Sequence, residues 1–275
     1  PSPGRVPGWP AFNAWDSLAV EGPMARTVAD CALLLSVMAG PDPRAPLALA
    51  EPGADFRDLV DRDWRGTRVA WTPDLGGYPV EREVREVCAA ALPALAGLGC
   101  EVTQACPDLR GADAIFQTLR AAAMAAKLEV VFRQHRDAMK ETVIWNIERG
   151  LALTALDVGR EEAARKQLYH RVRRFFEDYD FLVLPVAQVA PFPVEWDWVR
   201  EIEGVRLPTY IDWMATCYAI TVTGCPAISM PAGFTAGGLP VGLQIVGPHR
   251  ADLALLRFAR AFEAATGHAR RRPAL

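Results

Sequence analysis

The chain predicts an α/β fold. Three observations carry that expectation: a strand-helix-strand run over residues 67–104, a helical pattern filling residues 111–178, and short strands at 227–230 and 241–246 joined through a glycine-rich turn. Strands separated by a helix belong parallel in one sheet, and strands separated by a tight glycine turn form a hairpin. With 51% hydrophobic residues over 275 positions, the chain has enough apolar surface for a full core.

Thr27 and Asp30 have the spacing of a helix N-cap, Val28, Cys31, Leu35 and Met38 share one face, and Gly40-Pro41 supplies the stop. Leu33, Leu34 and Val37 fill the remaining faces, so this helix is expected to be buried on most sides. Residues 44–63 read as an acidic, proline- and alanine-rich surface excursion. A strand over Thr67–Trp71 leads through a plain turn at Gly76-Gly77 into a helix from about Glu81 to Leu98, which Pro93 should bend or split, and then a strand over Cys100–Gln104. The helical middle is expected to break near Gly150 and Gly159 and to end in a stripe of Leu168, Val172, Phe175 and Tyr179. Phe181–Leu184 reads as a buried strand, Pro191 to Pro193 as irregular loop, and the stretch with Tyr210, Trp213 and Tyr218 as a helix. In the second hairpin strand Val241, Leu243 and Ile245 alternate with Gly242, Gln244 and Val246, and a closing helix from about Asp252 to Thr266 stops at Gly267.

The formal net charge of -3 provides no field for a phosphate backbone, so nucleic acid is excluded as a partner. The six cysteines, Cys31, Cys88, Cys100, Cys106, Cys217 and Cys225, include no C-x-x-C pair, and the four histidines lack metal-ligand spacing. Reduced, mostly buried thiols are expected, with no metal and no cofactor. Every apolar run is shorter than the roughly 20 residues of a membrane span, so a soluble cytoplasmic chain is expected.

The chain offers little chemistry of its own. Its four serines are Ser2, Ser17, Ser36 and Ser229, none in a G-x-S-x-G elbow, and its three lysines, Lys127, Lys140 and Lys166, fall in the helical middle and read as surface residues. A cysteine nucleophile would draw on Cys217 or Cys225 with His249. Nothing beside Cys225 favours its thiolate, and a packed thiol is the stronger expectation.

Several segments nevertheless resemble one family in order. These are EGPMARTVADCALLLSVMAGPDPR at 21–44, TRVAWTPDLGGYPV at 67–80, RFFEDYDFLVLP at 174–185, TGCPAISMPAGFTAGGLPVGLQIVG at 223–247, and RFARAFEAATG in the last helix. Together they are similar to the later blocks of the amidase signature family, serine hydrolases of carboxylic amides. The opening PSPGRVP resembles the stretch just after that family's nucleophile block. The resemblance implies a single α/β architecture with a mixed sheet flanked by helices on both faces. It also implies a Ser–cisSer–Lys acyl-enzyme mechanism. The family's glycine- and serine-rich loop and its G-T-D-x-G-G-S-like segment have no counterpart here, so the resemblance transfers a catalytic role to no residue and places the triad upstream of Pro1.

Residues 1–275 are therefore expected to be the C-terminal portion of a single amidase domain, inactive alone. What this portion would supply is pocket wall: by resemblance the loop after Leu184 and the region from Tyr210 to Cys225 lie near the acyl-binding cleft. Gln188, Phe192, Tyr210, Trp213 and Cys225 are the candidate substrate contacts. The expected partners are a small-molecule amide, the missing catalytic half or a complementing chain, and a second copy in a homodimer. The alternative function is a non-catalytic subunit that binds a ligand or partner on part of the amidase fold.

Overall fold

The computed structural model describes residues 1–271. The first helix, α1 (Val28–Met38), starts where Thr27 accepts a hydrogen bond from the Asp30 amide. Strand β1 (Arg68–Trp71) is followed by helices α2 (Arg82–Ala90) and α3 (Leu92–Gly97) and strand β2 (Glu101–Gln104). The split falls at Ala91, because Pro93 has no N–H to continue the ladder and is tolerated only in a first helical turn. Helices α4 (Ala112–His135), α5 (Glu141–Leu151) and α6 (Ala155–Asp178) form the middle, followed by β3 (Phe181–Pro185) and the small ribbon β4 (Glu201–Ile202) and β5 (Val205–Arg206). Helix α7 (Ala215–Thr221), the hairpin β6 (Ala227–Phe234) and β7 (Pro240–Val246), and α8 (Asp252–Thr266) complete the order.

The main sheet runs β2-β1-β3-β7-β6. Strands β2, β1 and β3 are parallel and β7 is antiparallel to both β3 and β6, so the sheet is mixed. Period-two alternation sends Val69, Trp71, Phe181, Val183, Leu243 and Ile245 into one core with α2, α3 and α8. The opposite set, Ala70, Leu182, Leu184 and Val246, packs with α4, α6 and α7 in a second core. Phe181 stacks on Phe258 with centroids 4.2 Å apart, and Trp64 meets both edge-on.

Four expectations need correction. The first helix is buried through Val28, Ala32 and Leu35, but Leu33, Leu34 and Val37 are 48%, 44% and 77% exposed. Only one side of α1 finds protein to pack against. The helical middle breaks near Gly150, since α5 ends at Leu151 and α6 begins at Ala155, but it does not break near Gly159, which lies inside α6. Gly150 also serves close approach, since a Cβ there would collide with the Ala121 carbonyl oxygen of α4. The breaks come at the short turn over Arg136–Ala138 and before α6, where Thr154 and Asp157 form a reciprocal capping box. The Tyr210 stretch is not one helix: only Ala215–Thr221 is α-helical, after a single turn over Asp212–Met214. The excursion at 44–63 is also less external than its composition suggests, with Leu49, Phe56 and Leu59 buried.

A buried polar cluster ties the first residues to the last helix. Asp252 accepts hydrogen bonds from the Ser2 amide at 2.6 Å and from the Arg5 guanidinium at 3.3 Å, and the Arg5 and Asp252 side chains are only 4% and 2% exposed. Removing one member of such a pair strands the other charge in a low-dielectric site. Asp252→Ala is therefore expected to cost about 3–5 kcal/mol of unfolding free energy, read from urea titration.

Candidate functional site

Strand β3 ends at Pro185, and the segment that follows is held from three directions. Gln188 is fully buried; its side-chain amide donates to the Pro79 carbonyl at 2.8 Å and its oxygen accepts from the Ala215 amide. The Val186 carbonyl accepts from the Thr216 hydroxyl at 2.8 Å and from the Cys217 thiol at 2.9 Å. Glu81 accepts from the Ala190 amide at 2.8 Å. A buried loop must place its backbone polar groups, and here side chains from α7 and from the start of α2 do so. Gln188 thus works as a brace between β3 and α7, with both ends of its amide occupied.

Phe192 and Trp213 come together. Their rings meet edge-on at 5.3 Å, and both pack against Val189, Val199, Ile202 and Leu207, a small apolar cluster beside the β4–β5 ribbon. Phe192 also stacks on the exposed Trp196 at 6.2 Å. Tyr210 lies in a different setting: its hydroxyl is bonded by Arg120 at 2.9 Å and by the buried Asn146, and its ring meets Trp145 edge-on at 5.8 Å. Arg120 also donates to the Asn146 side-chain oxygen at 2.6 Å. Asn146 shares α5 with the buried Ile144 and Ile147, and an amide among buried aliphatics is the signal that would have exposed this network in the sequence.

Cys225 sits apart from both groups. It lines a cleft of about 250 Å³ with Tyr169, Val172, Arg173, Phe176, Pro248 and His249. The His249 Nδ1 is 2.9 Å from the Gly224 carbonyl oxygen, a contact that requires the proton on Nδ1. Burial pushes the Cys225 thiol up to about 11, with a weaker opposing effect from Thr223, and burial likewise raises Cys217 to about 11. Neither thiol is activated. Among the serines, Ser2 is buried against Arg250, Ser17 bonds Arg165, Ser36 bonds the Leu33 carbonyl, and Ser229 is exposed on β6. Lys127, Lys140 and Lys166 are all exposed. Among the described residues no cluster of three or more His, Cys, Asp or Glu could hold a metal, and no helix is long and apolar enough to cross a membrane.

The five candidate residues therefore divide into a brace, an aromatic pair, a hydrogen-bonded tyrosine and a separate thiol, with no nucleophile and base among them. The family model for amidases matches residues 1–256. The chain belongs to the amidase signature family. An acylamidase of Rhodococcus erythropolis is 36% identical over 277 residues, covering 100% of this chain and 58% of that protein. A glutamyl-tRNA(Gln) amidotransferase component from a Synechococcus species is 30% identical, over 99% of this chain and 60% of its own length. A bacterial aryl acylamidase structure superposes with a TM-score of 0.87 at 26% identity, covering 100% of this chain and 60% of that one. A 6-aminohexanoate cyclic dimer hydrolase solved with its substrate gives a TM-score of 0.86 at 25% identity, covering 99% of this chain and 61% of that one. This amidase-family chain thus spans less than two thirds of the length of the relatives it matches.

The thiol chemistry gives a direct check. A thiol raised from 9.0 to about 11 carries about 100-fold less thiolate at neutral pH, and only the thiolate is alkylated. Because a higher-pKa thiolate is also more nucleophilic, Cys225 is expected to react with iodoacetamide about 10-fold or more slower than free cysteine at pH 7.5, its rate rising steadily with pH up to 11, as read by peptide mass spectrometry.

Proposed function

We propose that residues 1–275 are the C-terminal portion of a single amidase signature domain that hydrolyses a carboxylic amide C–N bond to acid and amine or ammonia. The observation that carries this reading is the match of residues 1–256 to the amidase family, combined with serines and lysines that are all committed elsewhere or exposed. The nucleophile and base then belong to sequence upstream of Pro1.

In this reading a neutral lysine draws a proton through a bridging serine, and a second serine attacks the amide carbonyl. The carbonyl oxygen gains negative charge that fixed N–H donors stabilise, and the amine leaves with a proton returned through the same relay. Water then attacks the acyl-enzyme ester and releases the acid. The present chain contributes the acyl-side wall. Phe192 and Trp213 offer an apolar edge for an acyl or aryl group, and Tyr210 presents a hydroxyl whose orientation Arg120 and Asn146 control. Gln188 acts indirectly by holding the loop that carries Phe192. Cys225 is the least supported contact, because its cleft is lined by α6 and His249 rather than by the aromatic pair.

The test joins the chain at Pro1 to the upstream part of the Rhodococcus erythropolis acylamidase and follows amine release from p-nitroacetanilide. The isolated chain is expected to give no turnover and the fusion to give measurable turnover. In the fusion, Trp213→Ala is expected to raise KM about 10-fold while changing kcat less, as for loss of an apolar binding contact worth about 1.4 kcal/mol. Hydrolysis by the isolated chain would refute the assignment of the triad to upstream sequence.

A further inference from the structure

Where α4 and α5 meet Tyr210, the side chains turn hydrogen-bond donors outward. Arg120 is held through Nη1 alone, which donates to the Asn146 Oδ1 at 2.6 Å and to the Tyr210 hydroxyl oxygen at 2.9 Å. Asn146 is 1% exposed, and because a guanidinium only donates, its amide oxygen must face Arg120. Its amide nitrogen then donates to Tyr210 and to the Thr142 carbonyl. The Tyr210 oxygen thus accepts twice, which leaves its own proton to be given to a further group. The Nε and Nη2 of Arg120 make no hydrogen bond among the described residues, and neither atom is enclosed. That edge is the fork that matches a carboxylate with two parallel N–H···O bonds.

A second guanidinium belongs to the same cluster. Arg149 of α5 lies over the Trp145 ring at 5.2 Å, Trp145 meets Tyr210 edge-on at 5.8 Å, and Arg120 lies 5.7 Å from the Tyr210 ring centroid. Arg149 donates to the side-chain oxygen of Gln117, one turn before Arg120 on α4. Neither arginine forms an ion pair among the described residues. The carboxylates on the adjoining elements are committed elsewhere. Asp212 accepts from the Thr209 amide at 2.6 Å, from the Thr209 hydroxyl at 2.8 Å and from Gln117 at 3.4 Å. Glu148 pairs with Arg136 at 2.8 Å, and Asp113 accepts from Tyr78 at 2.6 Å and Tyr218 at 2.9 Å. Two cations and a phenol proton set among aromatic rings complement a group that is negatively charged and only accepts. An ionised carboxylate is such a group, whereas an alkyl chain would leave the donors unmatched.

We propose that Arg120, with Tyr210 and Arg149, determines specificity by selecting amides whose acyl part ends in a carboxylate, the monoamides of short dicarboxylic acids. The proposal rests on the amidase reading, which makes the Tyr210 region a wall of the acyl side. Arg120 binds the carboxylate through Nε and Nη2, Tyr210 donates its proton to the same group, and the exposed Arg149 adds positive charge beside them. Asn146 is the positioning residue. By occupying Nη1 from a buried site it fixes the guanidinium plane, and with it the direction of the fork.

The test uses the Rhodococcus fusion and two anilides that differ only in the terminal group, N-succinyl-p-nitroaniline and N-butyryl-p-nitroaniline, read by p-nitroaniline release. The expected result is a kcat/KM about 30-fold higher for the succinyl substrate, a preference that Arg120→Gln removes and Arg120→Lys lowers about 10-fold. Arg149→Gln, at an exposed side chain, is expected to lower the preference about 3-fold, which keeps the proposal testable if Arg120→Gln fails to fold. Equal kcat/KM for the two substrates would overturn the proposal and leave the amidase reading standing. So would a preference that survives Arg120→Gln while both rates fall together, the result expected if Arg120 only orients Tyr210. Calorimetric titration with succinate separates the two readings. An inactive fusion that binds succinate, with binding lost in Arg120→Gln, would sink the amidase reading and uphold the carboxylate seat; an inactive fusion that binds none would overturn both.

Discussion

The pairing of β3 with β7 is the constraint on which the rest of the fold depends. All five residues of β3 are buried, because the strand is covered on both faces and paired on both edges. On one side it continues the parallel run of β1 and β2; on the other it meets an antiparallel hairpin. A residue slip in either register would turn Phe181 and Val183 away from Phe258 and Leu243 and exchange the two cores. The same pairing carries the chain out of the sheet at Pro185. It therefore fixes where the loop with Gln188 and Phe192 begins.

From that point polar side chains set the geometry. Thr216, Cys217 and Gln188 direct their hydrogen bonds to backbone groups of the loop, of α7 and of Pro79 before α2, and Gln244 adds a bond from the sheet to the Thr216 carbonyl at 3.3 Å. Each is buried or nearly so, where an unmade bond costs about 1–3 kcal/mol. The aromatic pair at Phe192 and Trp213 is thus carried on a braced loop. Tyr210, by contrast, is controlled from α4 and α5 through Arg120 and Asn146. The aromatic pair and Tyr210 are thus positioned by different layers of the molecule.

Much of the fold was legible in the chain. The alternation in 241–246, the Thr27 cap, the Pro93 split and the Gly267 stop are local signals, and each element formed within a few residues of its expected limits. The misses share a cause. Gly159 reads as a break because glycine disfavours helix, but it lies inside α6, which the capping box at Thr154 has already started. Leu33, Leu34 and Val37 imply burial, but whether a partner surface is present is not a property of eleven residues. The grouping of site residues was only partly legible. Phe192 and Trp213 meet across a long loop, whereas Tyr210 and Cys225, expected in the same neighbourhood, stand in separate environments.

The sequence by itself determined the element types, the two-faced strands and the ordered blocks shared with the amidase family, because these depend on periodicity, caps and turn chemistry within short windows. Only the tertiary structure decided that β3 joins parallel and antiparallel halves, that Gln188 is a brace, and that β6 is the terminal strand of the sheet among the described residues. Those facts depend on contacts between residues tens to hundreds of positions apart. Burial and hydrogen-bond satisfaction over the whole molecule select among arrangements that local signals leave equivalent.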